Sequence, residues 1–182
     1  MLIELPKQAL VNRIIPKDRF NFNDPTQIER IRWVGKLAPT TINLPAKKVP
    51  EIEIFSIDIP DFKADVVQRI LDKIPQEILF LVNDDLAVMR YDGQLFTKKI
   101  TVALEIRGLN LDEVRDNFIR QLLAISDIKQ PLAQQVQRVR DRQDLQLEID
   151  KLNQQITRAV QTNKKQQLAR ERYELEIKLK NV

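Results

Sequence analysis

Apolar positions change their period along the chain, and those changes divide it into elements. Pro6 to Ile14 reads as a short helix stopped by Pro16, because proline disfavours helical geometry in the residue before it. After the loop PKDRFNFND, Asp24 and Pro25 supply a cap acceptor and a pre-set first helical residue, and Ile28, Ile31, Val34 and Ala38 continue at helical spacing to about Leu37. From Val49 to Ile59, VPEIEIFSIDI alternates with a change of phase between Ile54 and Phe55, as at a bulge or in a strand covered on both faces. DFKADVVQRILDKI puts Phe62, Val66, Ile70 and Ile74 on one helical stripe, with Asp61 as its cap and Pro75 as its end. EILFLV is a second apolar strand, LAVMRY and QLFTKK flank Asp92-Gly93 as a tight hairpin, and ITVALEI reads as a further strand. Asn110 and Glu113 have capping-box spacing ahead of Leu111, Val114, Phe118, Leu122 and Ile125, which predicts another amphipathic helix to about Ser126.

Beyond Pro131 the pattern changes again, since residues 132–182 hold no Pro, no Gly and one aromatic, Tyr173. Leu145, Ile149, Leu152 and Ile156 step by four and three as in a coiled-coil seam, and the same phase runs on through Ala159, Asn163, Gln166, Arg170, Tyr173 and Ile177. The expected fold is α+β: a mixed sheet with flanking amphipathic helices and a long C-terminal helix or helical hairpin. Residues 1–131 form the globular domain and 132–182 a basic helical tail, open either to a short antiparallel pairing or to homo-oligomer formation along the seam.

The 182 residues are 43% hydrophobic, enough for one ordinary core. Absences bear harder on function. There is no His and no Cys, and Ser occurs only at 56 and 126, so Ser-His-Asp triads, Cys-His pairs, zinc cages and disulfides are excluded. Three glycines, Gly35, Gly93 and Gly108, cannot write a phosphate-cradling loop or a dinucleotide fingerprint. No cofactor is called for, and the chemistry that survives is carboxylate and Lys/Arg chemistry. Apolar runs fall short of the roughly 20 residues of a membrane span, and the start lacks the order of a secretory signal, so a soluble cytoplasmic protein with no membrane contact is expected.

The net charge of +4 is unevenly placed: residues 1–48 carry 9 basic and 4 acidic side chains, 49–131 carry 10 and 15, and 132–182 carry 11 and 7. In the tail, Lys151, Arg158, Lys165 and Arg172 recur every seven residues beside the apolar seam. On one continuous helix they would line about 32 Å, comparable to a turn of duplex DNA, and could meet several backbone phosphates. The competing reading is a solvated face neutralised by Asp144, Glu148, Glu171 and Glu176. Trp33, one helical turn from Arg30 and Lys36, offers an aromatic plane flanked by cations, or else a core tryptophan. Lys17, Arg19 and Phe20 form a similar mixture on a loop. The enzymatic rival is a magnesium-dependent nuclease in which Asp61, after Pro60, and Glu105 would hold the cation, with Arg107 standing where a lysine is wanted. Asp84 and Asp85 fit turn residues better than metal ligands.

The run from PKQALVNRIIPKDRF through IRWVGKLAPTTINLP and VPEIEIF to IPQEILF, with the closing ITRAVQTNKKQQLARERYELEIKLK, resembles an uncharacterised prokaryotic family, domain of unknown function 4391. The likeness is weakest between Asn83 and Gly108, where this sequence is short. The resemblance implies a setting rather than a reaction: an accessory subunit near DNA, beside a DNA methyltransferase or helicase of a restriction-modification or phage-defence system. Its matched positions, Asn12, Lys17, Phe20, Lys36, Leu37, Thr41 and Glu51, are candidates for a shared surface. The function expected is therefore a non-catalytic accessory or adaptor protein that docks a partner protein and touches DNA backbone. The nuclease and a structural coiled-coil oligomer stand as alternatives.

Overall fold

A computed structural model of the chain describes residues 2–22 and 27–182. It divides into two compact units, Met1–Ser126 and Asp127–Val182.

The first unit is α+β, built on a six-stranded mixed sheet whose strands lie in chain order: β1 (Leu10–Ile15), β2 (Arg30–Leu37), β3 (Ile52–Asp58), β4 (Glu77–Val82), β5 (Leu86–Tyr91) and β6 (Gln94–Lys99). Only β3 and β4 are parallel, as their connection through helix α2 (Ala64–Leu71) requires. Both are near-continuous apolar runs because both faces are covered. Phe55, Ile57, Phe80, Val82 and Val88 face α2, where Val66, Val67, Ile70 and Leu71 complete one buried cluster. Ile52, Ile54, Leu79, Leu81, Ala87 and Met89 point the other way and are equally buried. Helix α3 (Leu111–Leu122) packs on β5 and β6, with Asn110 Oδ1 accepting from the Glu113 amide at 3.1 Å as the capping-box spacing predicts. The β5–β6 hairpin turns at Asp92 and Gly93, both at positive φ, and Asn83 and Asp84 turn the β4–β5 connection in the same way.

Four expectations need correction. Residues 6–14 form a single 3-10 turn, Lys7–Ala9, and then β1, while the helix read to Leu37 is strand β2 from Arg30 onward. Its proposed start at Asp24-Pro25 lies outside the described residues. The physical reason is shared: β1 slips register between Leu10 and Arg13, β2 slips between Trp33 and Gly35, and an inserted residue breaks the period of two that would have identified a strand. ITVALEI is not a strand; it makes one isolated bridge, Ile3 to Leu104, and Val102 is 77% exposed. Helix α2 is entered at Lys63 rather than capped by Asp61, and a short helix α1 (Pro39–Ile42) follows β2.

The second unit is a helical hairpin, α4 (Leu132–Arg158) and α5 (Thr162–Asn181) packed together across a three-residue break. Leu145, Ile149, Leu152 and Ile156 line the α4 side as the spacing predicts, with Ile149 buried. On α5 the predicted phase fails: Asn163, Gln166, Arg170, Tyr173 and Ile177 are exposed, and Leu168, Arg172, Leu175 and Leu179 take the inner positions. The extended residues between the helices reset the phase, as the β-region Ala159 shows. No helix among the described residues is long and apolar enough to cross a membrane.

Candidate functional site

The two bulges and the end of α2 build a cleft on the α2 face of the sheet. In a regular strand Trp33 and Lys36, three residues apart, would point to opposite faces. The extra residue in β2 leaves Trp33 opposite Phe55 and Lys36 opposite Glu53, so both side chains converge on Glu53. Gly35 permits this: a Cβ there would stand 2.5 Å from Leu5 Cδ1 and 2.7 Å from the Ala9 carbonyl oxygen. In β1, Asn12 adopts φ 53° within its own bulge, and Arg13 then pairs opposite Trp33. The 3-10 turn Lys17–Phe20 brings Arg19 and Phe20 to the same place, and the residues after α2 add Lys73, Ile74 and Gln76. The open cleft has a volume of about 380 Å³, within the range of small-molecule sites, about 300–1,000 Å³.

Glu53, 7% exposed, lies at the cleft floor on a central strand. Trp33 Nε1 donates to Glu53 Oε2 at 2.6 Å and to the Gly35 carbonyl oxygen at 3.0 Å, which fixes the indole plane. Lys36 Nζ pairs with Glu51 and stands 3.7 Å from Glu53 Oε1. Burial pushes the Glu53 carboxyl above its ordinary value, with Lys36 and the Trp33 bond pulling back. The hydrogen bond that Lys36 donates to Glu51 is the main reason its ammonium is held above the usual lysine value. Around the rim, Arg13, Arg19 and Lys73 make no ion pair among the described residues. An aromatic and aliphatic hollow with unpaired cations at the mouth and an acceptor at the floor can hold a planar, anionic ligand.

This geometry sorts the candidates read from the sequence. Trp33 and Arg19, which came from two separate motifs, line one cleft, and Lys36 braces its floor. Arg30 is not beside Trp33; it pairs with Asp58 at 2.6 Å, because alternate positions on a strand face opposite ways. Lys17 begins the 3-10 turn, engaged with a partner of its own. Arg13, Lys73 and Glu53 were missed. For Glu53 a signal existed, an acid inside a run apolar on both faces, since a carboxylate is buried there only if it is met by donors. Arg13 was hidden by the helical reading of its segment, and Lys73 by lying past the end of a helix.

The nuclease residues are not brought together. The Asp61 side chain is 80% exposed and sits 3.9 Å from Lys63 Nζ, in a hollow with Asp65 and Arg69. Glu105 pairs with Arg107 in a different hollow, clamped by Gln121, whose Oε1 accepts from the Glu105 amide and whose Nε2 donates to the Glu105 carbonyl, both at 2.9 Å. Among the described residues no group of three or more Asp and Glu could hold a metal ion. Asp84 is a positive-φ turn residue and Asp85 donates its amide to the Val82 carbonyl at 3.2 Å, as expected of a turn.

The basic stripe of the tail is broken as a single rod. Lys151 and Arg158 lie on α4, Lys165 and Arg172 on α5, and the chain reverses between them. Lys151, Arg158 and Lys165 are exposed and make no ion pair among the described residues. Arg172 instead enters the seam, where Nη1 donates to Asn153 Oδ1 at 3.1 Å and Nε pairs with Glu176 at 3.2 Å.

No curated protein and no solved structure matches the chain. The family model described as Domain of unknown function (DUF4391) matches residues 3–182, essentially the whole sequence, through both units described above. The chain belongs to that family.

Proposed function

We propose that the protein is a non-catalytic accessory protein that holds nucleic acid through its backbone phosphates, with the Trp33 cleft as the principal contact. One observation carries this reading: Arg13, Arg19 and Lys73 ring an aromatic-walled hollow without ion-pair partners among the described residues. Cations left unpaired around a stackable surface suit a phosphate-bearing single strand, where aromatic faces take bases and Lys/Arg take the backbone. The exposed Lys151, Arg158 and Lys165 of the hairpin form a second, weaker set. The protein acts beside a DNA methyltransferase or helicase of a restriction or phage-defence system, the setting that the family resemblance implies.

The test is the salt dependence of binding to a mixed-sequence single-stranded 12-mer. Each phosphate contact removed lowers the slope of log affinity against log salt by about 0.7, so replacing Arg13, Arg19 and Lys73 together by Gln lowers it by about 2. Replacing Lys151, Arg158 and Lys165 lowers it less. An unchanged slope in the cleft variant overturns the assignment.

A further inference from the structure

We propose that the Trp33 cleft selects a guanine base, whose N1–H and N2 amino edge the Glu53 carboxylate accepts while Arg13, Arg19 and Lys73 meet the attached phosphate. This rests on the reading of the cleft as a nucleic-acid site and adds the identity of the base.

The argument begins from Glu53 being the wrong group for a plain phosphate site. A carboxylate repels phosphate, and placing one on a buried central strand costs free energy unless donors meet it. An ionised carboxylate offers about four acceptor positions. Trp33 takes one on Oε2, and Lys36, shared with Glu51, takes one on Oε1 as an ion pair at 3.7 Å. Acceptor capacity is therefore left over on a group that lines the cavity. Filling it needs a ligand with adjacent N–H donors. Among the bases only guanine has two side by side on its pairing edge. Adenine and cytosine set one amino group beside an acceptor nitrogen, and uracil flanks its single N–H with carbonyls; a carboxylate repels those acceptors.

The surroundings fit the same ligand. Ile14, Pro16, Phe20 and Ile74 give apolar walls for a flat ring, and the three cations stand among the same lining residues as the phosphate partners. The Trp33 bonds to Glu53 and Gly35 hold the acceptor in place before any ligand arrives, so little ordering cost falls on binding.

Trp33 is the only tryptophan, so its indole N–H gives one resonance in a nitrogen-15 spectrum and reports the cleft of the full chain directly. Titrations with GMP, IMP, AMP and CMP follow that signal. GMP is expected to bind about 10- to 100-fold more tightly than AMP or CMP, the discrimination of one paired-edge contact. IMP, which keeps N1–H and lacks the amino group, falls between them. Glu53→Gln, its fold checked by far-ultraviolet circular dichroism because the Trp33 indole loses its own acceptor, brings the ratio of GMP to AMP affinity towards one. Equal binding of all four nucleotides overturns the guanine assignment and leaves phosphate binding standing, provided that the Arg13, Arg19 and Lys73 replacements weaken all four. A GMP preference that survives Glu53→Gln also overturns it. No response to any nucleotide, together with no binding of the 12-mer, overturns this inference and the proposed function alike.

Discussion

Replacing Gly35 by Ala tests the construction of the cleft without touching any group that would meet a ligand. The added Cβ would lie 2.5 Å from Leu5 Cδ1 and 2.7 Å from the Ala9 carbonyl oxygen, both well inside ordinary van der Waals contact at 3.4–4 Å. Leu5 can rotate away, but the Ala9 oxygen is backbone at the end of the 3-10 turn that leads into β1, so this segment and β2 must part by several tenths of an ångström. Overpacking of this kind costs about 1–3 kcal/mol, and the reduced freedom of the unfolded chain returns about 0.4–1, leaving a net loss of about 1–2 kcal/mol. Urea denaturation followed by Trp33 fluorescence reads the first unit directly, because the single tryptophan lies in it. With a slope of about 1–3 kcal/mol per molar urea, the midpoint falls by about 0.3–2 M. The fluorescence of the folded state shifts as well, since the Gly35 carbonyl is one of the two acceptors of the indole N–H. An unchanged midpoint together with an unchanged native spectrum would refute the close approach of β1 and β2, and with it the account of how Trp33 and Lys36 reach one acid.

Two further outcomes follow from charge and capping. Asp112 accepts from the amides of Lys47, Lys48 and Val49 at 3.1–3.3 Å; burial alone would raise its carboxyl, and those donors outweigh it and hold it below the ordinary aspartate value. A folded value below the unfolded one gives stability that is present above the ordinary aspartate range and is lost as pH falls through the lowered value. Asp112→Asn should therefore lower Tm near neutrality and flatten the acid side of a Tm against pH profile; a parallel acid limb contradicts the role. Helix α5 begins at Gln161 with no side-chain cap and no acid in its first turn, while Lys164 and Lys165 oppose the helix dipole. Gln161→Asp should stabilise the hairpin by about 0.5–1 kcal/mol, measured as a later loss of helical circular dichroism on heating. No gain would show that the helix start is satisfied by other means.

The parts of the fold that were legible are those with one undisturbed period. The Asn110 cap, the α2 stripe of Val66 and Ile70, the Asp92-Gly93 turn and the apolar runs of β3 and β4 each obey a single local rule, and tertiary packing agrees with it. The phase change at Ile54 and Phe55 is resolved as a strand covered on both faces, because β3 pairs with β4 in unbroken register and the bulge sits on β2. β1 and β2 imitate helices in sequence because one inserted residue in each converts alternation into a spacing of three. The same insertions shape the cleft, so the site was obscured by the feature that makes it. Trp33 and Arg19 were visible as aromatic and cation in suggestive company, but their meeting depends on strand pairing across residues far apart in sequence. In the tail, a heptad count cannot register the break after Arg158, and that break moves Arg172 from the basic stripe into the seam.

The additional residue in β2 also determines how this protein tolerates changes in length. Deleting Val34 would regularise the ladder with β3 and leave Trp33 and Lys36 two residues apart, still on the face of Glu53, whereas adding a residue there, with the single bulge kept, would turn Lys36 to the far side and leave Glu53 beside the indole without its counter-charge. Loss and gain of a residue at this point are thus unequal, so sequence drift between Trp33 and Lys36 should admit a shortening more readily than a lengthening.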